Sequence, residues 1–362
     1  MSKLLMTASS FGHIRSFHLP YLKRFQELGW EVHVACGGEV GEVPGAERLI
    51  PLPLEKRYAS AANLRAVKLL RRWMRRERYD LVITHTALAS FFTRLAEVGV
   101  SPHPKTVNVV HGYLFGPHAG RVKNLVLETA ERLMLPQTDL ILTMNAWDRD
   151  WTRRHFPGTP QRWIPGMGVA DERFAGVEPG RLPSPEEPFV LVYSAEFSPR
   201  KNQMFLIRAM QKLPNQAKLV LPGQGALLEE TKALAVELGV AERVHFPGFV
   251  TDLGYLLSGA DAAVSASRSE GLPFNLMEAM LCALPVVASD VKGNADLVED
   301  GVTGRLFPLD DEEAFAAAVR ALMADRAQAR AMGQRGRERV ERYRLERVLD
   351  EVMDACLSAV ES

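Results

Sequence analysis

Cysteine is scarce: Cys36, Cys282 and Cys356 are the only three in 362 residues. Their spacing fits neither a disulfide framework nor a thiolate metal site, which points to a reducing compartment. Long apolar runs are missing too. No stretch approaches the ~20 apolar residues of a membrane-spanning helix, and Met1–Met6 is too short an apolar run for a signal peptide. The chain therefore reads as cytoplasmic, either soluble or peripheral. It has no net charge, with 44 Lys and Arg against 44 Asp and Glu. Aromatic residues, 8% of the chain, form no platform interleaved with basic ones, so nucleic acid is not expected as a partner. Repeats at the ~20–50-residue periods of solenoids and low-complexity tracts are also absent.

What is present is ordinary in bulk and uneven in placement. Hydrophobic residues at 47% and charged residues at 24% suit a globular protein, and the length suits two domains. Residues 1–167 carry 23 Lys and Arg against 14 Asp and Glu, whereas residues 168–362 carry 21 against 30. A basic first half suggests an anionic partner there, with simple drift of charge between domains as the plain alternative.

Short β-rich runs alternate with helical patterns along the whole chain. The first half offers strands at Lys3–Ala8, Glu31–Ala35, Arg48–Leu52, Leu81–His85, Thr106–His111 and Leu140–Met144, with helices near 16–28, 62–78, 87–98 and 120–134. The second offers Phe189–Ser194, Lys218–Leu221, Val244–Phe246, Ala262–Ala266 and Pro285–Ala288. Apolar strands alternating with amphipathic helices predict parallel sheets covered on both faces, here two Rossmann-like units. Turn-rich Pro165–Val169 and proline-dense Glu178–Pro185 mark the boundary. The domains are therefore 1–167 and 168–345, with 346–362 a last helix that could cross back to the first domain.

The most telling run is Arg268–Met280. Glu270 and Glu278 lie eight residues apart, the first in a loop after Ala262–Ala266, the second about two turns into a helix. Pro273 suits a first helical position, and the free backbone N–H groups of a helix start favour an anion. Backbone donors for phosphate beside carboxylates for hydroxyls suit a nucleotide-sugar. Two solvated glutamates on a capped helix are the bland alternative.

This run resembles the Glu-x7-Glu motif of retaining glycosyltransferases of family 4, which have the GT-B fold. Ala283–Asp290, Gly293–Val298 and Asp300–Gly304 continue the family pattern in order. Thr7–Lys23 resembles the start of exopolysaccharide and capsule glycosyltransferases. The resemblance covers roughly residues 4–345. It implies an α/β protein with two Rossmann-like domains facing each other across a cleft, which needs no metal and no other cofactor.

The resemblance also implies roles for particular residues. Lys201, with Arg200 beside it, is similar to the lysine that meets the donor diphosphate. Glu270 is expected near the sugar ring and diphosphate, Glu278 on the ribose hydroxyls, and Gly271, Leu272 and Pro273 in the same wall. Gly223 and Gly225 resemble a turn that lets backbone approach the nucleotide, and Phe249 belongs to the segment lying against the base. His111 in Asn108–Tyr113 is similar to a histidine that contacts the donor sugar, and Gly12 and His13 would face the diphosphate. His85 occupies a similar strand end, and His18 is open between a functional place and a packed helix histidine, the latter being the usual outcome. The chain departs from many members at Glu196, where they have arginine, and at Ala195, where related enzymes have glycine.

Two further patterns bear on partners. In the helix near 63–78, Arg65, Lys68, Arg72, Arg75 and Arg76 fall on one side and Val67, Leu70, Trp73 and Met74 on the other. A basic amphipathic helix of this kind can lie on anionic lipid, a reading that the excess of arginine favours over a helix packing one stripe on a sheet. Asp148-Arg149-Asp150 matches an Asp-x-Asp metal pattern by letters but suits a helix start. The expected activity is transfer of a sugar, with retention, from a nucleoside-diphosphate sugar such as a UDP-sugar to a lipid-linked or other saccharide acceptor. The site is expected at the inner face of the plasma membrane, in exopolysaccharide, capsule or related glycan assembly. A UDP-sugar epimerase or hydrolase of the same fold, or a non-catalytic nucleotide-sugar-binding protein, are the alternatives.

Overall fold

The structure, a computed structural model, describes residues 1–170, 174 and 187–361. The proline-dense run at 178–185 lies outside the described residues. The chain forms two compact units, Met1–Gly168 with Glu346–Ser362, and Val169–Leu345.

The first unit runs β1 (Lys3–Ala8), α1 (Phe11–Phe17), α2 (Leu19–Glu27), β2 (Glu31–Cys36), β3 (Arg48–Pro51), α3 (Ala61–Glu77) and β4 (Leu81–His85). It continues with α4 (Ala87–Glu97), β5 (Lys105–Val110), α5 (Arg121–Met134), β6 (Leu140–Thr143), α6 (Ala146–His155) and β7 (Gln161–Trp163). Its seven strands are all parallel, in the order β3-β2-β1-β4-β5-β6-β7. The strands read as near-continuous apolar runs because helices cover both faces. One packed cluster joins Leu5, Ile50 and Val82 of the sheet to Val67, Leu70 and Met74 of α3 and Phe92 of α4.

The helix expected near 16–28 starts earlier and breaks. Pro20 opens α2, so the chain turns at His18, which caps the end of α1 and the start of α2. That break leaves His18 fully buried at the junction.

The second unit runs β8 (Phe189–Val192), α7 (Gln203–Ala209), β9 (Ala217–Pro222), α8 (Leu228–Glu237), β10 (Val244–Gly248), α9 (Leu253–Ser258) and β11 (Ala262–Ser265). It continues with α10 (Phe274–Leu281), β12 (Val286–Ser289), α11 (Asn294–Leu297), β13 (Gly304–Phe307), α12 (Glu312–Ala324) and α13 (Arg326–Val340). Its sheet, again parallel, is ordered β10-β9-β8-β11-β12-β13. Strands β7 and β13 are additions to the sequence reading, one at an edge of each sheet. The first is three residues long with two polar side chains, and the second opens on Gly304, whose missing Cβ would fall 2.1 Å from Val286 O.

The last helix, α14 (Leu345–Glu361), packs in the first unit. Val348, Val352, Met353 and Cys356 are buried, while Asp350 and Asp354 pair with Arg24 and Arg162 at 2.9 and 2.8 Å.

Candidate functional site

In the second unit β8 lies beside β11, and the sheet runs outward in opposite directions from that pair. Such a switch point opens a crevice at the carboxyl ends of the strands, where α/β sheets take ligands. The loop after β8 brings Arg200 and Lys201 there, and the loop after β11 brings Glu270. Glu270 is only 7% exposed. Its Oε1 accepts hydrogen bonds from Lys201 Nζ and, at 2.6 Å, from Ser267 Oγ, and Oε2 accepts from Arg200 Nη1 at 2.7 Å. Burial pushes the carboxyl pKa up, but the Lys201 and Arg200 charges and these hydrogen bonds outweigh it and hold it at about 2. Glu270 in turn raises the Arg200 guanidinium above its ordinary value. Two cations on one carboxylate leave a net positive charge, and the Arg200 side chain is still 46% exposed.

Neighbouring loops brace this trio. The Tyr193 hydroxyl meets Ser267 Oγ at 2.7 Å and donates to Lys201 O at 3.2 Å. Arg268 N donates to Arg200 O at 2.8 Å, and its guanidinium grips Asp310 at 2.6 and 2.9 Å. Behind Glu270 sits Gly293 at φ 84°, where a Cβ would lie 2.8 Å from the Glu270 backbone. Glycine is required there by both conformation and space.

The other residues expected in this unit also follow strand ends. Pro273 is extended and caps α10 instead of opening it, so the helix proper begins at Phe274. Gly271 precedes buried Leu272, and Glu278 sits in the second turn of α10, half-buried. Gly223 and Gly225, after β9, have a packing reason to be glycine. A Cβ on either would fall 2.1 Å from Ala195 O or 2.4 Å from Phe197 O, so the loops after β8 and β9 could not lie together. Phe249, just past β10, exposes most of its ring.

The first unit repeats the arrangement with different chemistry. Its switch point lies between β1 and β4, whose following loops are tied by Ser9 and Thr86. Ser9 N donates to Thr86 Oγ1 at 3.0 Å, and the two hydroxyls lie 2.6 Å apart. Thr86 adopts φ 63°, a strained conformation for a β-branched residue that costs ~1–3 kcal/mol. Four histidines gather here: His13 in the first turns of α1 next to Gly12, His18 at the α1–α2 break, His85 ending β4 and His111 just after β5. Ring centroids are 3.9 Å apart for His18 and His85, 5.0 Å for His13 and His18, and 5.1 Å for His13 and His111. His85 Nδ1 and His111 Nε2 share a hydrogen bond of 2.9 Å. Burial lowers the pKa of all four, His13 to about 4 and His18, His85 and His111 well below the ordinary imidazole value. They are neutral imidazoles near pH 7.

Helix α3 presents Arg65, Lys68, Arg72, Arg75 and Arg76 on its exposed face. Its apolar stripe is consumed by the core, so the amphipathic stripe that would lie on lipid is not free. Arg71 caps the end of α4 through the Ala96 and Leu95 carbonyls, and Arg76 stacks on Trp73. The exposed apolar ridge of this unit is instead on α5, where Val122, Leu125, Val126 and Leu133 are each more than half exposed. Asp148 is fully buried and accepts from Tyr113 N and Asn145 Nδ2. It braces the start of α6.

Known proteins match both units. Residues 21–166 fit the family "Glycosyltransferase Family 4" and residues 177–339 fit "Glycosyl transferases group 1". EpsD of Bacillus subtilis (strain 168), assigned by name to the glycosyltransferases, is 33% identical over 97% of this chain and 95% of its own. The chain is a glycosyltransferase of the GT-B fold. An Escherichia coli UDP-Gal:alpha-D-GlcNAc-diphosphoundecaprenol alpha-1,3-galactosyltransferase is 25% identical over 70% of this chain and 68% of its own. The fold is shared with sucrose-phosphate synthase from Thermosynechococcus elongatus (TM-score 0.81, 22% identity, 98% of each chain). It is shared too with Anabaena Alr3699/HepE in complex with UDP and glucose (TM-score 0.78, 19% identity, 99% and 100%).

In this glycosyltransferase several positioning residues escape sequence reasoning. Ser267 and Tyr193 are common residue types 74 positions apart, and only the β8–β11 adjacency reveals that they meet. His18 had a weak signal in Pro20, which predicts the helix break that buries it. Among the described residues, no helix is long and apolar enough to cross a membrane.

Proposed function

We propose that the chain transfers a sugar, with retention of configuration, from a nucleoside-diphosphate sugar, most simply a UDP-sugar, to a lipid-linked saccharide. The observation that carries this reading is the Lys201–Glu270–Arg200 trio at the second unit's switch point. One ionised carboxylate holds two cations in place and leaves a positive charge for an anion. In this reading Lys201 and Arg200 offset the charge that grows on the departing diphosphate. Glu278 takes the ribose hydroxyls, the Gly271–Pro273 wall and the turn at Gly223 and Gly225 flank the nucleotide, and Phe249 meets the base. His111 takes the donor sugar, and Gly12 and His13 the diphosphate. Glu270, held by three donors and kept ionised, organises the cations and is poorly placed to act as a covalent nucleophile. That favours front-face displacement through an oxocarbenium-like state, with the leaving phosphate accepting the acceptor proton. Lys201 and Arg200 supply the charge that a metal would otherwise bring to the diphosphate, so transfer is proposed to need none.

The acceptor class draws on the Escherichia coli relative, whose name gives a diphosphoundecaprenol-linked substrate, and the donor on the UDP held by Alr3699/HepE. Such an acceptor places the enzyme at the inner face of the plasma membrane, in exopolysaccharide, capsule or a related glycan. The apolar ridge of α5, flanked by Arg121, Lys123 and Arg132, and the basic face of α3 are the proposed contacts with anionic lipid, each near-surface charge adding about 1 kcal/mol. The test is release of UDP from a panel of UDP-sugars with and without lipid-linked acceptors. Acceptor-dependent release with one sugar is the expected result, and sugar turnover that ignores the acceptor would overturn the transferase reading.

A further inference from the structure

The histidine cluster of the first unit asks for more than the transferase reading gives it. His18 is fully buried and His85 is 1% exposed. Among the described residues, neither nitrogen of His18 finds a hydrogen-bond partner, nor do His85 Nε2 and His13 Nε2. A neutral imidazole has one N–H donor and one lone-pair acceptor, and each buried group left unmet is destabilising. A histidine kept only for packing would be better replaced by leucine or phenylalanine. Three of these side chains, His13, His18 and His111, each bring a ring nitrogen within 4.8 Å of the other two.

The other converging trio in the described residues makes the contrast. Glu31, His33 and Glu77 also lie close together, but Lys3 pairs with both carboxylates at 3.3 and 2.8 Å. His33 is satisfied by Tyr79 at 2.8 Å and Glu31 at 2.9 Å. That group is a completed ion-pair network and needs no ligand.

We propose that His13, His18 and His111 form a binding site for one divalent transition-metal ion of the zinc class. Three imidazoles with no thiolate or carboxylate suit borderline ions such as Zn²⁺, and three protein ligands leave a fourth position open. His85, hydrogen-bonded to His111, orients that ring from outside the ligand set, as outer-shell partners of metal-bound histidines do. The histidines come from α1, from the α1–α2 break and from the end of β5, so the break at Pro20 is what brings His18 into the set. The site goes beyond the transferase reading, with which it shares His13 and His111. An ion bound there would occupy a nitrogen of each and, because His85 holds His111 Nε2, would exclude the proposed donor-sugar contact at His111 while it is bound.

The test uses the full chain, stripped with chelator and titrated with Zn²⁺ by calorimetry, with metal content measured after dialysis. One equivalent is expected, and His18→Leu or His13→Ala should weaken binding by more than roughly 100-fold, the upper end of what losing an outer-shell partner costs. His33→Ala should leave binding unchanged. Circular dichroism checks that each variant folds, and Co²⁺ loading adds a visible absorption band that should vanish in His13→Ala, which keeps the buried residues intact. Wild-type protein that retains no zinc, or a folded His13→Ala that binds as tightly as wild type, would overturn the proposal. Because no donor or acceptor is present, failure here leaves the transferase reading standing.

Discussion

Glu270 shows how one side chain couples stability to chemistry. Its carboxyl pKa falls from an ordinary 4.5 to about 2 in the folded chain, a difference worth ~3 kcal/mol. Because the folded value is the lower one, this stabilisation is complete above about pH 4.5 and is lost as the pH falls toward about 2. Thermal unfolding of wild type and Glu270→Gln should therefore differ most at pH 7 and converge near pH 2–3; a difference that does not change with pH would refute the assigned ion-pair role. The same exchange, and Lys201→Ala, should remove most transfer activity by leaving the cations unplaced or absent. Gly293→Ala forces a left-handed conformation and a contact on the Glu270 backbone, and should cost ~1–3 kcal/mol and lower kcat. Unchanged melting and turnover in that variant would contradict the packing described. The Glu270–Glu278 spacing pointed to this candidate site in the sequence. The ion pairs stayed hidden because Glu270 and Lys201 are 69 residues apart, and contact at that separation is decided by strand order.

Among elements, periodicity recovers what burial imposes and misses what it does not. Strands such as Leu81–His85 are buried at every residue and stand out as apolar runs. The edge strands β7 and β13 are short and mixed, and leave no such mark. For α3 the pattern was legible and the partner of its apolar stripe was not, since an apolar stripe looks the same whether it faces lipid or a sheet. Burial of Val67, Leu70 and Met74 settles that. Exchanging Val122, Leu125 and Val126 of α5 for serine should thus change stability by less than about 0.5 kcal/mol each while reducing binding to anionic liposomes. Neutralising Arg72 and Arg76 should reduce it further and make the remainder less salt-sensitive. Liposome binding unaffected by either set would reject the membrane contact.

On the scale of the whole molecule, both units use one design: parallel strands whose order reverses beside the first strand, with the candidate site residues at that reversal. The alternation of apolar strands and helices made this legible from the sequence. The charge imbalance was legible as well, but the first unit is less basic than residues 1–167 suggest, because α14 adds Glu346, Asp350, Glu351, Asp354 and Glu361 against Arg347. Its excess falls from nine positive charges to five. Deleting 346–362 exposes the core under Val348, Val352, Met353 and Cys356, each worth on the order of 1.5 kcal/mol or more, and should lower the melting temperature by roughly 10 °C. An unchanged melting curve would contradict the placement of α14. The central claim is that the cations organised by Glu270 receive the diphosphate of a nucleotide-sugar. Calorimetric titration of UDP into wild type and Lys201→Ala tests it most directly. The account predicts binding to wild type that weakens at least tenfold in the variant, and equal affinity in the two proteins would contradict it.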